Sequence, residues 1–219
     1  MPARFAFLTL GQTPRTDLVP EILSWLPEPV EVHEVGALDG LGIDEIAALA
    51  PGRDEPRLVT RLRDGRQAVL REDWVRGRLQ ELLDRLDPQG YRAVVLLCTG
   101  EFPGLAGRGL FLDAQHLVDH GAAALSSGAH RVGLLLPLLE QVDTFHYRAG
   151  PKQQLAVSHA SPYEGDRFEE AGRELAGTDL VLMHCMGYTE AQRRVVARAS
   201  RRPTLLARRL VAAALAQLL

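Results

Sequence analysis

The stretch Val94-Val95-Leu96-Leu97-Cys98-Thr99-Gly100 is matched in pattern by Val181-Leu182-Met183-His184-Cys185-Met186-Gly187. Each is an apolar run, a cysteine, one further residue and a glycine. A short continuous apolar run fits a strand buried on both faces, as in a parallel sheet covered by helices. The repetition reads as a weak internal duplication, with one such strand at the same place in each of two lobes. The strands are expected over Ala93–Cys98 and Asp179–Cys185, each ending on its cysteine.

Moving outward, short apolar runs alternate with amphipathic segments, the mark of βα units around a mostly parallel sheet. Phe5-Ala6-Phe7-Leu8-Thr9-Leu10 reads as the first strand, ended by Gly11, and a helix is expected over Arg15–Leu26. A strand over Val30–Val35 leads to Asp44, read as the N-cap of a helix that stops before Pro51. Arg57–Leu62 and Gln67–Leu70 flank Asp64-Gly65 and read as a hairpin closed by an Asp-Gly turn. This 57–71 hairpin interrupts the βα rhythm, and three roles stay open for it: a flap over a site, an oligomer contact, or surface decoration.

A helix over Asp73–Leu86 follows. The second series comprises strands at Arg131–Leu136, Leu155–Ser158 and Asp179–Cys185, with helices at Leu139–Tyr147 and Glu164–Leu175, and a last βα unit over Thr204–Leu219. The expected fold is α/β, with two pseudo-symmetric lobes of mostly parallel sheet flanked by helices. The whole of 1–219 forms one unit, approximately 1–110 with the C-terminal helix as one lobe and 111–205 as the other. Glycine-bearing turns lie at the carboxyl ends of strands, where open α/β sheets bind ligands.

Composition narrows the function. The chain has 219 residues, 46% hydrophobic and 24% charged, with a net charge of −3. Arginine is scattered on helical faces, so nucleic acid is not an expected partner. No apolar run is long enough for a spanning helix, and no membrane association is expected. Two cysteines without a secretory signal argue for a reducing compartment, and a cytoplasmic location is expected. No Gly-x-Gly-x-x-Gly or Walker loop supports nucleotide binding.

The cysteines carry the chemistry in this reading. A thiolate can abstract a proton while a thiol on the opposite face returns one, and a symmetrical pair suits epimerisation because each thiol serves one enantiomer. Glycine-turn N–H groups can hold a carboxylate. The bland alternative is that cysteine packs as a small hydrophobe; the repeated context favours the chemical role for Cys98 and Cys185.

Four motifs, Thr9-Leu10-Gly11-Gln12-Thr13-Pro14-Arg15-Thr16-Asp17, Leu96-Leu97-Cys98-Thr99-Gly100, Leu136-Pro137-Leu138-Leu139-Glu140 and His184-Cys185-Met186-Gly187-Tyr188, resemble those of the AroM family, within the aspartate/glutamate/hydantoin racemase superfamily. The resemblance covers nearly the full length. It implies a two-lobed racemase-type fold, a site between the lobes and neither cofactor nor metal. It also implies chemistry at a carboxylate-bearing carbon: racemisation, with decarboxylation or cis–trans isomerisation through one dominant cysteine as an alternative. A further alternative is a non-catalytic binding or regulatory protein linked to aromatic amino-acid metabolism. The superfamily's amino-acid racemases follow the first cysteine with Asn-Thr and the second with Thr-His. Here Thr99-Gly100 and Met186-Gly187 stand instead, which argues against a standard aspartate or glutamate pocket.

The candidate catalytic residues are thus Cys98 and Cys185. Thr9, Gly11, Gln12, Arg15, Thr99, Gly100, Pro137, Gly187 and Tyr188 are the candidate substrate-binding residues, for a small-molecule carboxylate. Arg15 has two readings, a bidentate carboxylate clamp or a surface ion pair with Asp17 or Glu21. Thr9, Gln12 and Thr13 bond substrate or form the turn and cap of the first helix, and Glu140 orients an amine or caps its helix, the cap being favoured. His184 reads as a satisfied core group. His116 and His120 superficially resemble metal ligands but lack a third ligand, so no metal is expected. The pairs Arg193-Arg194, Arg201-Arg202 and Arg208-Arg209 read as a solvated C-terminal face, with a homo-oligomer contact left open.

Overall fold

Phe5, Ala6, Phe7 and Leu8 have almost no exposed surface: the strand that carries them is central in its sheet, and Ala6 and Leu8 pack on Leu79, Leu83 and Leu86 of the helix over it. The computed structural model describes residues 2–53, 55–86, 89–142 and 153–219. It divides into two compact units, Met1–Gln115 with Leu215–Leu219, and His116–Ala214.

The first unit runs β1 (Arg4–Thr9), α1 (Val19–Leu23), β2 (Glu31–Gly36), α2 (Ile43–Ala47), β3 (Arg57–Arg61), β4 (Gln67–Arg71), α3 (Glu72–Leu86), β5 (Ala93–Leu96) and β6 (Phe111–Asp113), and α4 (Ala114–Leu125) begins at its border. The second contains β7 (Arg131–Leu136), a 3-10 turn (Leu139–Gln141), β8 (Gln154–His159), α5 (Phe168–Glu174), β9 (Leu180–Met183), α6 (Glu190–Ser200), β10 (Thr204–Leu206) and most of α7 (Ala207–Ala216).

The two main sheets share one topology. In the first the order is β2-β1-β5-β6 and in the second β8-β7-β9-β10, all pairs parallel. β1 therefore corresponds to β7 and β5 to β9. This is the strand-level form of the duplication expected from the two cysteine segments, and the fold class is α/β with parallel sheets flanked by helices. In each sheet the central strands are buried apart from the arginine that opens β1 and β7, and in the first unit Leu8, Leu79, Leu96 and Phe102 share one core with Leu58 and Leu70 of the hairpin. Burying such side chains contributes about 1.5–3 kcal/mol each.

β3 and β4 form the expected antiparallel hairpin, Arg57 facing Arg71 and Arg61 facing Gln67. Its turn needs glycine at residue 65, where φ is +90°, a conformation that costs glycine little.

Several boundaries differ from expectation. α1 is confined to Val19–Leu23 instead of Arg15–Leu26: Pro20 lacks the N–H that a helix interior needs and is tolerated only in a first turn, so the helix starts at Val19, and Pro27 and Pro29 follow its last turn. Asp44 is not the N-cap of α2. Gly42 is, its N–H donating to Glu45 Oε2 at 2.8 Å, and Asp44 lies in the first turn, where the helix dipole favours an acid. β5 and β9 stop at Leu96 and Met183, so both cysteines stand two residues past their strands instead of ending them.

Only one 3-10 turn occupies the start of the helix expected over Leu139–Tyr147; residues 143–147 of that expectation lie outside the described residues. α5 begins at Phe168 instead of Glu164, after Gly165 at φ +73°. Of the C-terminal helix, expected with the first lobe, only Leu215 and Ala216 fall in the first unit, with the residues that follow to Leu219, and β6 belongs to the first unit instead of the second. Among the described residues, no helix is long and apolar enough to cross a membrane.

Candidate active site

In an order such as β2-β1-β5-β6 the chain leaves β1 toward one edge of the sheet and β5 toward the other, and the carboxyl ends of those two strands diverge. That divergence is where open α/β sheets place ligands. Thr9 ends β1 and Gly11 follows it, and Cys98 follows from β5. Cys98 is a partly exposed thiol whose Sγ accepts the N–H of Gly100 at 3.2 Å, and Thr99 between them is buried.

Gly11 sits where no side chain fits: a Cβ there would lie 2.4 Å from the Arg61 carbonyl oxygen and 2.7 Å from Thr60 Oγ1. The hairpin strand β3 therefore packs directly on the β1 turn. It is also fastened there, because Arg63 donates to the Thr13 carbonyl through Nε (3.0 Å) and Nη2 (2.7 Å) and its own N–H meets Gln12 Oε1 at 3.0 Å. Gln12 Nε2 reaches the Leu41 carbonyl at 3.4 Å. Asp39 accepts from the Thr13 N–H (2.8 Å) and hydroxyl (2.7 Å).

Arg15 is 5% exposed, so its ion pair is a buried one and not the surface pair considered from sequence. Its Nε and Nη2 each donate to Asp17 at 2.9 Å, and Nη1 donates to Thr9 Oγ1 at 2.8 Å. The guanidinium's carboxylate is thus supplied from within the chain. Burial pushes the Asp17 carboxyl up, but the Arg15 hydrogen bonds and charge, with Arg61 further off, bring it below its ordinary value.

The second unit repeats the thiol geometry. Cys185 is buried, and its Sγ accepts the N–H of Gly187 at 3.4 Å. Pro137, in the bend after β7, is buried. Gly187 packs under Tyr163, since a Cβ would lie 2.5 Å from the Tyr163 hydroxyl oxygen and 2.8 Å from Pro162 Cγ. Tyr188 is fully buried and its hydroxyl donates to the Ala160 carbonyl at 2.8 Å. Burial, then the neighbouring Cys185 and Tyr163, push that phenol well above its ordinary value.

His184 is a satisfied buried group, Nε2 standing 2.7 Å from Asp119 Oδ1 of α4. His120 Nδ1 lies 2.8 Å from the His116 carbonyl, and no group of three or more potential metal ligands occurs among the described residues. Glu140 is exposed inside its 3-10 turn and does not cap it.

Arg208 corrects the expectation of a solvated arginine face. It has no exposed surface; Nε (3.1 Å) and Nη2 (2.8 Å) donate to the Met186 carbonyl, and Nη2 also donates to Gly187 O at 2.9 Å. Arg209, by contrast, reaches Glu190 on the surface at 3.1 Å. A signal for the burial existed in the sequence: Arg208 stands at helical spacing with Val211, Ala212 and Leu215, the buried stripe of α7.

Two parallel sheets of matched topology, each with a cysteine-glycine turn at a central strand end, define an α/β protein of the aspartate/glutamate racemase-like fold. The chain belongs to the AroM family: the AroM protein model matches residues 5–219. Among curated proteins, none matches it by sequence. Allantoin racemase from Klebsiella pneumoniae superposes with a TM-score of 0.60 at 15% identity, over 99% of this chain and 87% of that one. Arylmalonate decarboxylase gives 0.59 at 17% identity, over 97% and 92%. Maleate cis-trans isomerase from Nocardia farcinica, in a structure with a covalently bound succinylcysteine intermediate, gives 0.59 at 12% identity, over 100% and 93%. At these identities the likeness is one of fold.

Proposed function

We propose that the chain is a cofactor-independent racemase or isomerase acting on a small carboxylate, with Cys98 and Cys185 as paired acid/base groups. The observation that carries this reading is the repeated turn. In each unit the cysteine stands two residues past the third strand of the sheet, and its sulfur accepts an N–H from the glycine two residues on. A hydrogen bond to the charged form favours that form, so each turn stabilises a thiolate, the species able to take a proton from carbon. In this mechanism one cysteine as thiolate removes the proton next to the carboxylate, the negative charge passes into the carboxylate, and the other cysteine as thiol returns a proton to the opposite face. Reversal of the two roles handles the other enantiomer.

A second reading is favoured by the inequality of the turns: Cys98 is partly exposed, whereas Cys185 is buried and the Met186 carbonyl of its turn is held by Arg208. In it one cysteine dominates, as in an isomerase or decarboxylase. Carboxylates incubated in deuterated water distinguish the two. Each Cys→Ser change lowers exchange by about a hundredfold or more in the paired mechanism, the scale of a lost general acid or base. Strongly unequal losses favour the dominant-cysteine reading, and exchange untouched by both changes overturns both readings. Ligand-induced thermal stabilisation without exchange or product would instead mark a binding protein.

A further inference from the structure

The peptide group between Met186 and Gly187 is held at both ends. Its carbonyl accepts two hydrogen bonds from Arg208, at 3.1 and 2.8 Å, while its N–H donates to the Cys185 sulfur at 3.4 Å. A guanidinium pulling on the carbonyl makes the amide hydrogen more positive, because hydrogen bonds in a chain polarise one another and do so more in a low-dielectric interior. Arg208 has no exposed surface, so its charge, which persists across the accessible pH range, is little screened by water.

We propose that Arg208 is a positioning residue for Cys185: its guanidinium fixes and polarises the Met186–Gly187 peptide so that the sulfur is held as thiolate. The proposal rests on the reading of Cys185 as a working thiol and says which of the two is the resting base. Among the described residues, the matching place in the first unit holds a neutral side chain. Arg208 is the second residue of the helix after β10, and the second residue of the helix after β6 is Gln115, also buried but neutral. The pair is therefore matched in geometry and unmatched in charge, with the base at residue 185 and the protonated partner at residue 98.

Among the described residues, the other titratable groups near Cys185 leave this assignment standing. Tyr188 and Tyr163 border its turn, and burial holds Tyr188 as the neutral phenol. Asp119 of α4 is bonded to His184, and Glu190 at the start of α6 is bonded to Arg193, Arg194 and Arg209.

The test is thiolate absorbance near 240 nm against pH in the full chain, with no substrate. C98S isolates Cys185 and C185S isolates Cys98. With Arg208 present, Cys185 titrates below the ordinary thiol value of about 8.5; a midpoint at or above that value overturns the proposal. Arg208→Met or Arg208→Gln in the C98S chain moves the midpoint alkaline by about one unit or more, the scale set by a near opposite charge. Arg208→Lys, which keeps the charge, moves it less. The Cys98 midpoint in the C185S chain does not respond to Arg208→Gln. An unmoved Cys185 midpoint, a Lys variant that shifts as far as Gln, or a parallel shift of Cys98 rejects the assignment. If the neutral variants do not fold, the native midpoint decides. Because the readout needs no turnover, a chain with the expected titration but no proton exchange would refute the racemase reading and leave the role of Arg208 intact.

Discussion

Leu58 of the hairpin lies directly on Gly100, the residue whose N–H meets the Cys98 sulfur: a Cβ at Gly100 would stand 2.7 Å from Leu58 Cδ2 and 3.4 Å from the Cys98 Sγ. Of the three roles open for the 57–71 hairpin, this contact favours a cover over the thiol turn. Leu58→Ala removes that cover. The variant loses about 2–5 kcal/mol, as buried Leu→Ala changes do, and Cys98 in a C185S chain reacts several-fold faster with iodoacetamide. Equal reaction rates in folded L58A and its parent would show that the hairpin does not shield the thiol.

The Arg15–Asp17 pair sets an acid limit on the first unit. A carboxyl whose folded pKa is below its ordinary 3.8 contributes stability that is complete above 3.8 and is lost as pH falls through the folded value. Asp17→Asn leaves a buried guanidinium without its carboxylate, which costs about 3–5 kcal/mol at pH 7. Urea unfolding from pH 7 down to pH 3 measures both: the variant starts lower and loses less on acidification. A variant as stable as its parent at pH 7 would mean that solvent replaces the carboxylate at no cost.

Two glycines rank differently in what they tolerate. A Cβ on Gly36 would meet the Gly11 carbonyl at 2.3 Å, and the obstacle is backbone. On Gly187 the obstacles are the Tyr163 ring and Pro162, whose loop can shift. Overpacking costs about 1–3 kcal/mol and more where nothing yields. Thermal melts should therefore place Gly36→Ala below Gly187→Ala, and Gly36→Ala also moves the 11–15 turn, so its Cys98 reactivity changes with its stability. The reverse ranking would show that the β1–β2 contact relaxes more readily than the turn after Cys185.

These residues show what could be read in the chain and what could not. The buried strands were legible because Phe5–Leu8, Val94–Leu96 and Val181–Met183 are unbroken apolar runs, and their repetition announced two matching sheets. β6 was not, since Phe111-Leu112-Asp113 is too short to show a period. α6 carries only two large apolar residues, Val195 and Val196; its real signal was the cap, Thr189 with Gln192, whose side chains each accept the other residue's N–H. Side-chain networks escaped for another reason. Arg63 and Thr13 are 50 residues apart, and no local pattern encodes which carbonyl a long side chain will find. Arg208 lay between these cases: its helical spacing was visible, but its adjacency to Arg209 suggested a solvated pair.

Tyr188 separates a binding role from a structural one. Its hydroxyl is spent on the Ala160 carbonyl at 2.8 Å, and its ring meets Phe168 edge-on at 6.0 Å. Burial raises its pKa above the ordinary 10.0, so its stabilising contribution is complete below pH 10.0 and falls as pH rises toward the folded value. Tyr188→Phe removes one buried donor and leaves the Ala160 carbonyl unsatisfied, costing about 1–3 kcal/mol. It also flattens the alkaline fall in stability above pH 10. If the hydroxyl serves only the fold, KM for a turned-over carboxylate stays at its parent value while the melting temperature drops. A raised KM with unchanged stability would mean that the hydroxyl leaves Ala160 for substrate, and would put Tyr188 back among the binding residues.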